Sequence, residues 1–234
     1  PQGFDSVDRA KILLRSVKAK ERDEEERDDW ITLQTNDDGV AEARLLPGEH
    51  TGTAVSIGHA PVDVKFEATT AIQNVPVSLG KASGFQAEVN DATDNPIPVK
   101  ATIYSLDAEH PDFGLSSTRT FVENCVYSVH GRLQCPLDPG KYEIFFSRGP
   151  EYHSESRELE IVAGQMHSIK LRLARVVDTS GWISADLHSH SSPSGDNTSD
   201  QFGRVENLLC EHIEFAPCTE HNRVNSYAPH LNKM

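Results

Sequence analysis

Four residues recur at a constant spacing of 92 positions, which predicts that much of the chain is a duplicated module. The first copy holds Gly39, Leu45, Pro47 and Gly48, and the second holds Gly131, Leu137, Pro139 and Gly140. A period of this length exceeds that of common solenoid repeats, which span roughly 20–50 residues, and suits a small domain present twice. We therefore expect Gly48 and Gly140 to occupy equivalent turns.

Short β-rich segments, separated by Pro, Gly, Asn and Asp, surround both copies of the repeat. Those around the first copy are 31–35, 41–46, 53–57 and 62–68. Those around the second are 82–89, 99–106, 120–129, 142–147, 158–162 and 168–173. Many short strands with turns between them are typical of antiparallel β-sandwiches, so we predict a mainly β fold with Ig-like modules at 1–75 and 76–177.

Residues 1–29 allow two interpretations. Val7, Ala10, Leu14 and Val17 keep a helical spacing, whereas the apolar run Ile12 to Leu14 could open the first sandwich as a strand. The strand is preferred because the first sandwich otherwise lacks one. The acidic run at 21–29 indicates a solvated loop.

Two of the four cysteines are placed for a cross-link. A three-residue turn at 129–131 would put Cys125 opposite Cys135 in a hairpin, at a Cα separation of roughly 4.5–5.5 Å that a disulfide can span. Two core thiols are the alternative. A bridge would indicate an oxidising compartment and hence a periplasmic or secreted protein.

The charge balance restricts the classes of molecule that the chain is expected to bind. The formal net charge is −14, from 22 basic and 36 acidic residues. Nucleic acid is not expected as a partner, because binding to phosphates needs a basic face. No segment approaches the roughly 18 apolar residues of a membrane span. A small-molecule substrate fits this chain, with an extracellular assembly or a homo-oligomer as further possibilities.

The pattern changes near Asp178. Residues 182–187 are predicted to form a strand that leads into a polar loop at 191–197. Thr198 and Gln201 form a capping-box pair for a helix, and 213–218 is a second strand. Strand, helix and strand in this order predict a βαβ unit with parallel strands, which would begin an α/β domain at 178–234.

Candidate metal ligands follow both of these strands. His188 and His190 are two residues apart, so strand alternation places both imidazoles on one face. Asp196 lies in the loop, and Glu220 and His221 follow the second strand. The carboxyl ends of parallel strands share one edge, so these groups should converge there. Imidazole with carboxylate suits Zn, Fe or Mn. With eleven histidines in the chain, an accidental His-x-His motif is the competing interpretation.

These motifs resemble a known family. Asp186-Leu-His-Ser-His190, Ser194-Gly-Asp196 and Thr219-Glu-His-Asn222 are similar to the first two motifs of the PHP (polymerase and histidinol phosphatase) metallohydrolases. The stretch from about 80 to 222, with the highest specificity from 139 onward, is closer to the carbaryl hydrolase-like (CehA/McbA) branch, in which a β-sandwich often precedes the catalytic domain. The repeat halves resemble transthyretin-type, carboxypeptidase regulatory-like modules.

The resemblance implies a distorted (β/α)7 barrel that holds two or three divalent cations (Zn, Mn or Fe). His188 and His190 would bind one cation, and Asp196 and His221 another. Asp186 and Glu220 would hold ligands in place rather than bind metal. The implied reaction is hydrolysis of an ester, carbamate, amide or phosphoester bond by metal-activated water.

The chain also departs from the family pattern. Asp196 lies one residue further from the histidine pair, Glu220 replaces an Asp, and residues 223–234 offer His230 but no acid. We therefore expect this chain to be the N-terminal part of an exported enzyme and to be inactive by itself. The alternative is an extracellular β-sandwich binding or structural protein with a vestigial hydrolase segment.

Overall fold

The computed structural model describes residues 10–17, 30–36, 38–113 and 121–234, so the acidic run at 21–29 lies outside the described residues. The fold is mainly β and forms two compact units. One unit holds the described residues up to Ser83 together with 136–138 and 163–165. The other holds the remaining described residues from Gly84 onward. Most of the predicted sandwich at 76–177 and all of the predicted hydrolase segment at 178–234 therefore belong to this second unit.

The first unit contains a four-stranded antiparallel sheet. Its strands are β1 (Lys11–Ser16), β2 (Ile31–Gln34), β3 (Gly48–Val55) and β4 (Val62–Ala68), in the order β2-β1-β3-β4. Leu14, Ala54 and Val64 form its buried core because alternate residues of each strand face the same side. The prediction of a strand at Ile12 to Leu14 is thus confirmed.

The second unit contains two sheets. Its strands are β5 (Gly84–Asn90), β6 (Val99–Ser105), β7 (Phe121–Val122), β8 (Cys125–Ser128), β9 (Arg132–Pro136), β10 (Gly140–Ser147), β11 (Glu155–Ile161) and β12 (Met166–Arg172). One sheet has the order β11-β10-β6-β8-β7 and the other β12-β5-β9. Phe85 of one sheet meets Phe146 of the other edge to face, with ring centroids 6.2 Å apart, and both are fully buried. This layered packing is that of a β-sandwich.

The repeat is present in the fold. The order β2-β1-β3-β4 in the first unit matches β8-β6-β10-β11 in the second. Gly48 and Gly140 each begin an eight-residue strand that pairs antiparallel with the next long strand of its sheet. Val77 and Leu79 pack against the first core, and the residues 92 positions later, Ile169 and Leu171, are buried in the second.

Two details of the β prediction are wrong. Residues 41–46 form no strand, and only Leu45 of this segment packs on the first core. The sandwich is also not wholly antiparallel, because β12 pairs with β5 in parallel from Met166↔Gly84 to Arg172↔Asn90.

The predicted Cys125–Cys135 disulfide is wrong as well. Both residues are thiols, because β8 and β9 belong to different sheets instead of forming a hairpin. Cys135 is fully buried, and burial raises the pKa of its thiol. The argument for an oxidising compartment that rested on this bridge is therefore removed.

After the sandwich, the chain forms α1 (Gln201–Cys210) and α2 (Ala228–Leu231). The predicted capping residue Thr198 is wrong: the cap is Asp200, whose carboxylate accepts a hydrogen bond from the Gly203 backbone N–H at 3.1 Å. An oxygen there satisfies one of the unpaired N–H groups of the first turn. No helix among the described residues is long and apolar enough to cross a membrane.

The two predicted parallel strands are reduced to a short parallel contact. A single bridge joins Ala185 and Phe215. Beside it, the Phe215 N–H donates to the Ser184 carbonyl and the Asp186 N–H to the Phe215 carbonyl, both at 3.0 Å. The segments at 182–187 and 213–218 therefore run in parallel, as predicted, but neither is a regular strand.

The end of α1 is joined to the sandwich through close and polar contacts. Gly149 has φ +70°, and a Cβ added to it would lie 2.1 Å from the carbonyl oxygen of Glu211. Glu211 also forms an ion pair with Lys100 of β6. The Cys210 thiol donates to the Ser128 carbonyl of β8 at 3.5 Å. These contacts explain why sandwich and helix belong to one unit.

Candidate metal centre

Two backbone segments lie side by side at the candidate site. The Ser189 N–H donates to Thr219 Oγ1 at 2.8 Å, and the same hydroxyl donates to the Ser189 carbonyl at 2.9 Å. The His188 N–H donates to the Asp186 carboxylate at 3.1 Å. Asp186 therefore contacts a candidate ligand, His188, through its backbone N–H.

The four predicted ligands lie next to one another in a chain of contacts. His188 Nε2 is 2.9 Å from His190 Nε2. His190 Nδ1 is 3.1 Å from each carboxylate oxygen of Asp196. His221 Nδ1 is 3.9 Å from Asp196 Oδ2, and its ring centroid is 6.3 Å from that of His190. The distances group the residues as the two pairs that the resemblance implies, with Asp196 also bound to His190.

In the described part of the chain, no group of three or more His, Cys, Asp or Glu side chains faces one centre in a way that could hold a metal ion. His190 directs its two ring nitrogens to different partners, Nε2 to His188 and Nδ1 to Asp196. The His188–His190 pair fits a cation better: two imidazole nitrogens bound tetrahedrally to one Zn²⁺ at about 2.0–2.1 Å lie about 3.3 Å apart. The Nε2 atoms need to separate by only a few tenths of an ångström to reach this distance.

Asp196 fixes the orientation and the tautomer of His190. The hydrogen bond with His190 lowers the pKa of the Asp196 carboxyl, and this effect is larger than the opposite effect of burial. A carboxylate beside Nδ1 favours the tautomer with hydrogen on Nδ1, which leaves a lone pair on Nε2. The lone pair that a cation needs is therefore on His190 Nε2, the nitrogen that faces His188.

Glu220 is a buried carboxylate at the junction of the two segments. Its Oε2 accepts hydrogen bonds from the Ser191 N–H at 2.9 Å and from Ser194 Oγ at 2.6 Å. Its Oε1 accepts from Ser191 Oγ, from Gln201 Nε2 at 3.4 Å and from the Cys218 thiol at 3.6 Å. Burial acts to raise the pKa of Glu220, but the hydrogen bonds from Ser191 and Ser194 outweigh it and lower the pKa to about 2.

The low pKa of Glu220 predicts an acid-dependent contribution to stability. Its folded pKa of about 2 lies below the unfolded value, so the stabilisation is complete above about pH 4.5 and is lost as the pH falls through about 2. We expect Glu220→Gln to lower the urea midpoint at pH 7, and the difference from wild type to shrink steadily below pH 4.5. A difference that stays constant from pH 7 to pH 2 would contradict the ionised, hydrogen-bonded Glu220.

Sequence reasoning missed several polar residues that support the site. Ser191 and Ser194 are buried against Glu220, and the buried Tyr227 donates from its hydroxyl to Ser189 Oγ at 3.2 Å. His230 places Nε2 at 2.9 Å from Gln201 Oε1. The available signal was the density of serines between His188 and Asp196, because a buried carboxylate needs several donors.

Comparison with known proteins gives little further guidance. No family model and no curated protein matches the chain. The TIE protein of Bacillus anthracis matches with a TM-score of 0.32 and 16% identity over 78% of this chain, which spans only 35% of that protein. GBS52, the minor pilin of Streptococcus agalactiae, matches with a TM-score of 0.29 and 13% identity over 76% of this chain and 87% of its own. The chain is thus similar to these two solved structures only at a distant level.

Proposed function

We propose that residues 182–234 contribute part of the metal centre of a PHP-type hydrolase. The observation that carries the proposal is the convergence of His188 Nε2 and His190 Nε2 at 2.9 Å, with the Asp196 carboxylate on the opposite nitrogen of His190. A histidine held by a carboxylate on one nitrogen and presenting the other is the usual arrangement of an imidazole that binds metal. An accidental His-x-His motif does not require this partner.

In this proposal the residues have separate tasks. His188 and His190 hold one cation, while Asp196 and His221 contribute to a second, consistent with the 3.9 Å between His221 Nδ1 and Asp196 Oδ2. A bound divalent cation would lower the pKa of water to about 7 and polarise a carbonyl or phosphoryl group. Glu220 contacts none of these imidazoles and serves to hold the two backbone segments together.

Exposed apolar side chains support the view that this segment belongs to a larger sheet. Trp182 is 80% exposed, Leu187 68% and Phe215 50%, and all three lie on the two parallel segments. Large apolar side chains grouped on one structural element are usually covered by further protein. We infer that these segments are the first strands of the (β/α)7 barrel that the resemblance implies.

The test is calorimetric titration of the metal-free chain with Zn²⁺, Mn²⁺ and Ca²⁺. We expect binding of Zn²⁺ and Mn²⁺, which imidazole ligands favour, and much weaker binding of Ca²⁺, which prefers oxygen ligands. Hydrolysis of aryl ester, carbamate and phosphoester substrates is then assayed with the bound ion, and we expect no turnover from this chain by itself. Absence of Zn²⁺ and Mn²⁺ binding would refute the metal centre and favour a β-sandwich binding protein.

A further inference from the structure

We propose that Ser194 is the positioning residue that joins the two halves of the candidate metal centre through its side-chain hydroxyl. This inference rests on the proposed function. It concerns a residue for which neither the motif spacing nor the resemblance assigns a role. Its effect is on the placement of His221 relative to the His188–His190 pair.

The Ser194 hydroxyl makes one hydrogen bond in each direction. It donates to Glu220 Oε2 at 2.6 Å and accepts from the His221 backbone N–H at 2.7 Å. Ser194 is only 3% exposed, so water does not compete freely for these two bonds. Since Glu220 is ionised and accepts, the serine proton is directed to the carboxylate, which leaves an oxygen lone pair for the His221 N–H.

The segment that carries Ser194 also carries three of the candidate ligands, His188, His190 and Asp196. The Ser194 N–H donates to the Ser191 carbonyl at 2.9 Å and closes a tight turn between His190 and Asp196. The same Ser191 donates its own N–H to Glu220 at 2.9 Å. The turn is therefore fixed to Glu220 at both ends, and the Ser194 hydroxyl extends this connection to the backbone of His221.

Removal of the hydroxyl should act on metal binding more than on the fold. Ser194→Ala leaves Glu220 with hydrogen bonds from Ser191, Gln201 and Cys218. It deprives the His221 N–H of its acceptor, so the backbone that carries this imidazole is free to move away from Asp196. Loss of such a supporting partner typically weakens metal affinity about 10–100-fold.

The experiment compares Ser194→Ala with Ser192→Ala, the same substitution at an exposed position of the same loop. Ser194→Cys, which keeps the shape with a weaker hydrogen-bonding group, is a second variant in case the alanine variant does not fold. Zn²⁺ affinity is measured by calorimetry, and hydrogen exchange of the His221 amide is measured by NMR in the metal-free chain. We expect about tenfold weaker binding and at least tenfold faster exchange for Ser194→Ala. Ser192→Ala should match wild type in both measurements. The amide exchange of Ser194→Cys should lie between, and this variant is compared by exchange alone because a thiolate is itself a Zn²⁺ ligand.

Equal affinity and equal amide exchange in wild type and Ser194→Ala would overturn the proposal. If wild type itself binds no metal, the proposed function fails, and the amide exchange alone then decides the positioning role. Unchanged exchange of the His221 amide in Ser194→Ala would overturn the role of Ser194 in that case too. Equal loss of affinity in Ser192→Ala and Ser194→Ala would also overturn it, since the side-chain hydrogen bonds to Glu220 and the His221 N–H in the described structure come from other residues, not from Ser192.

Discussion

Replacement of His190 by alanine is expected to weaken Zn²⁺ binding by more than about 100-fold, beyond the 10–100-fold typical of a lost supporting partner. The reason is that His190 has contacts on both ring nitrogens: His188 lies 2.9 Å from Nε2, and the Asp196 oxygens lie 3.1 Å from Nδ1. The variant therefore loses one ligand and the partner that holds Asp196. Calorimetric titration with Zn²⁺ measures the effect.

The matched control is His153→Ala. His153 is a histidine outside the site, with a side chain that is 59% exposed. Its removal should leave Zn²⁺ affinity unchanged within about twofold, because it neither approaches the candidate centre nor supports it. Equal affinities for the His190 and His153 variants would show that Zn²⁺ binds elsewhere on this histidine-rich chain.

Gly149→Ala is expected to cause a large loss of stability, on the order of 3 kcal/mol or more, because it combines backbone strain with a clash inside the folded unit. Gly149 has φ +70°, and its added Cβ would lie 2.1 Å from the Glu211 carbonyl oxygen and 2.8 Å from the carbonyl carbon. These are backbone atoms, which cannot move away by a change of side-chain rotamer. The end of α1 has to separate from the sandwich, which should be visible as a lower melting temperature and faster proteolysis of residues after 200.

Gly181→Ala separates the contribution of backbone strain from that of the steric clash. Gly181 has φ +82°, but nothing lies within 4 Å of its Cβ position. This variant should lose about 1 kcal/mol from backbone strain alone. If the two glycine variants are equally stable, α1 is not packed against the loop at 149 as described.

Much of the fold could be predicted because it rests on short-range patterns. Glycine and proline mark turns from local sequence alone. The repeat around Gly48 and Gly140 therefore located equivalent strands in the four-stranded sheet of the first unit and the five-stranded sheet of the second. Which strands pair is decided by contacts distant in sequence. Cys125 and Cys135 look like neighbours in a hairpin, yet the burial of Val126 in one sheet and Leu133 in the other draws the two strands apart.

The candidate site could be predicted only in part, for a similar reason. Spacing alone placed His188, His190, Asp196 and His221 close to one another, because strand ends are local features. Spacing could not show that Asp196 binds His190 from behind, nor that buried serines surround Glu220. These contacts depend on how the loop folds back, and serine is common in any exposed loop.

The parallel pairing of β5 with β12 has a mechanical consequence. The sandwich of the second unit begins with β5 and ends with β12, and the two strands are in register over seven residue pairs from Gly84↔Met166 to Asn90↔Arg172. Tension on the chain before Gly84 and after Arg172 pulls these strands in opposite directions along their length. The ladder is then loaded in shear, with all of its hydrogen bonds sharing the force, instead of opening one bond at a time. A sandwich closed in this way resists stretching between its two ends.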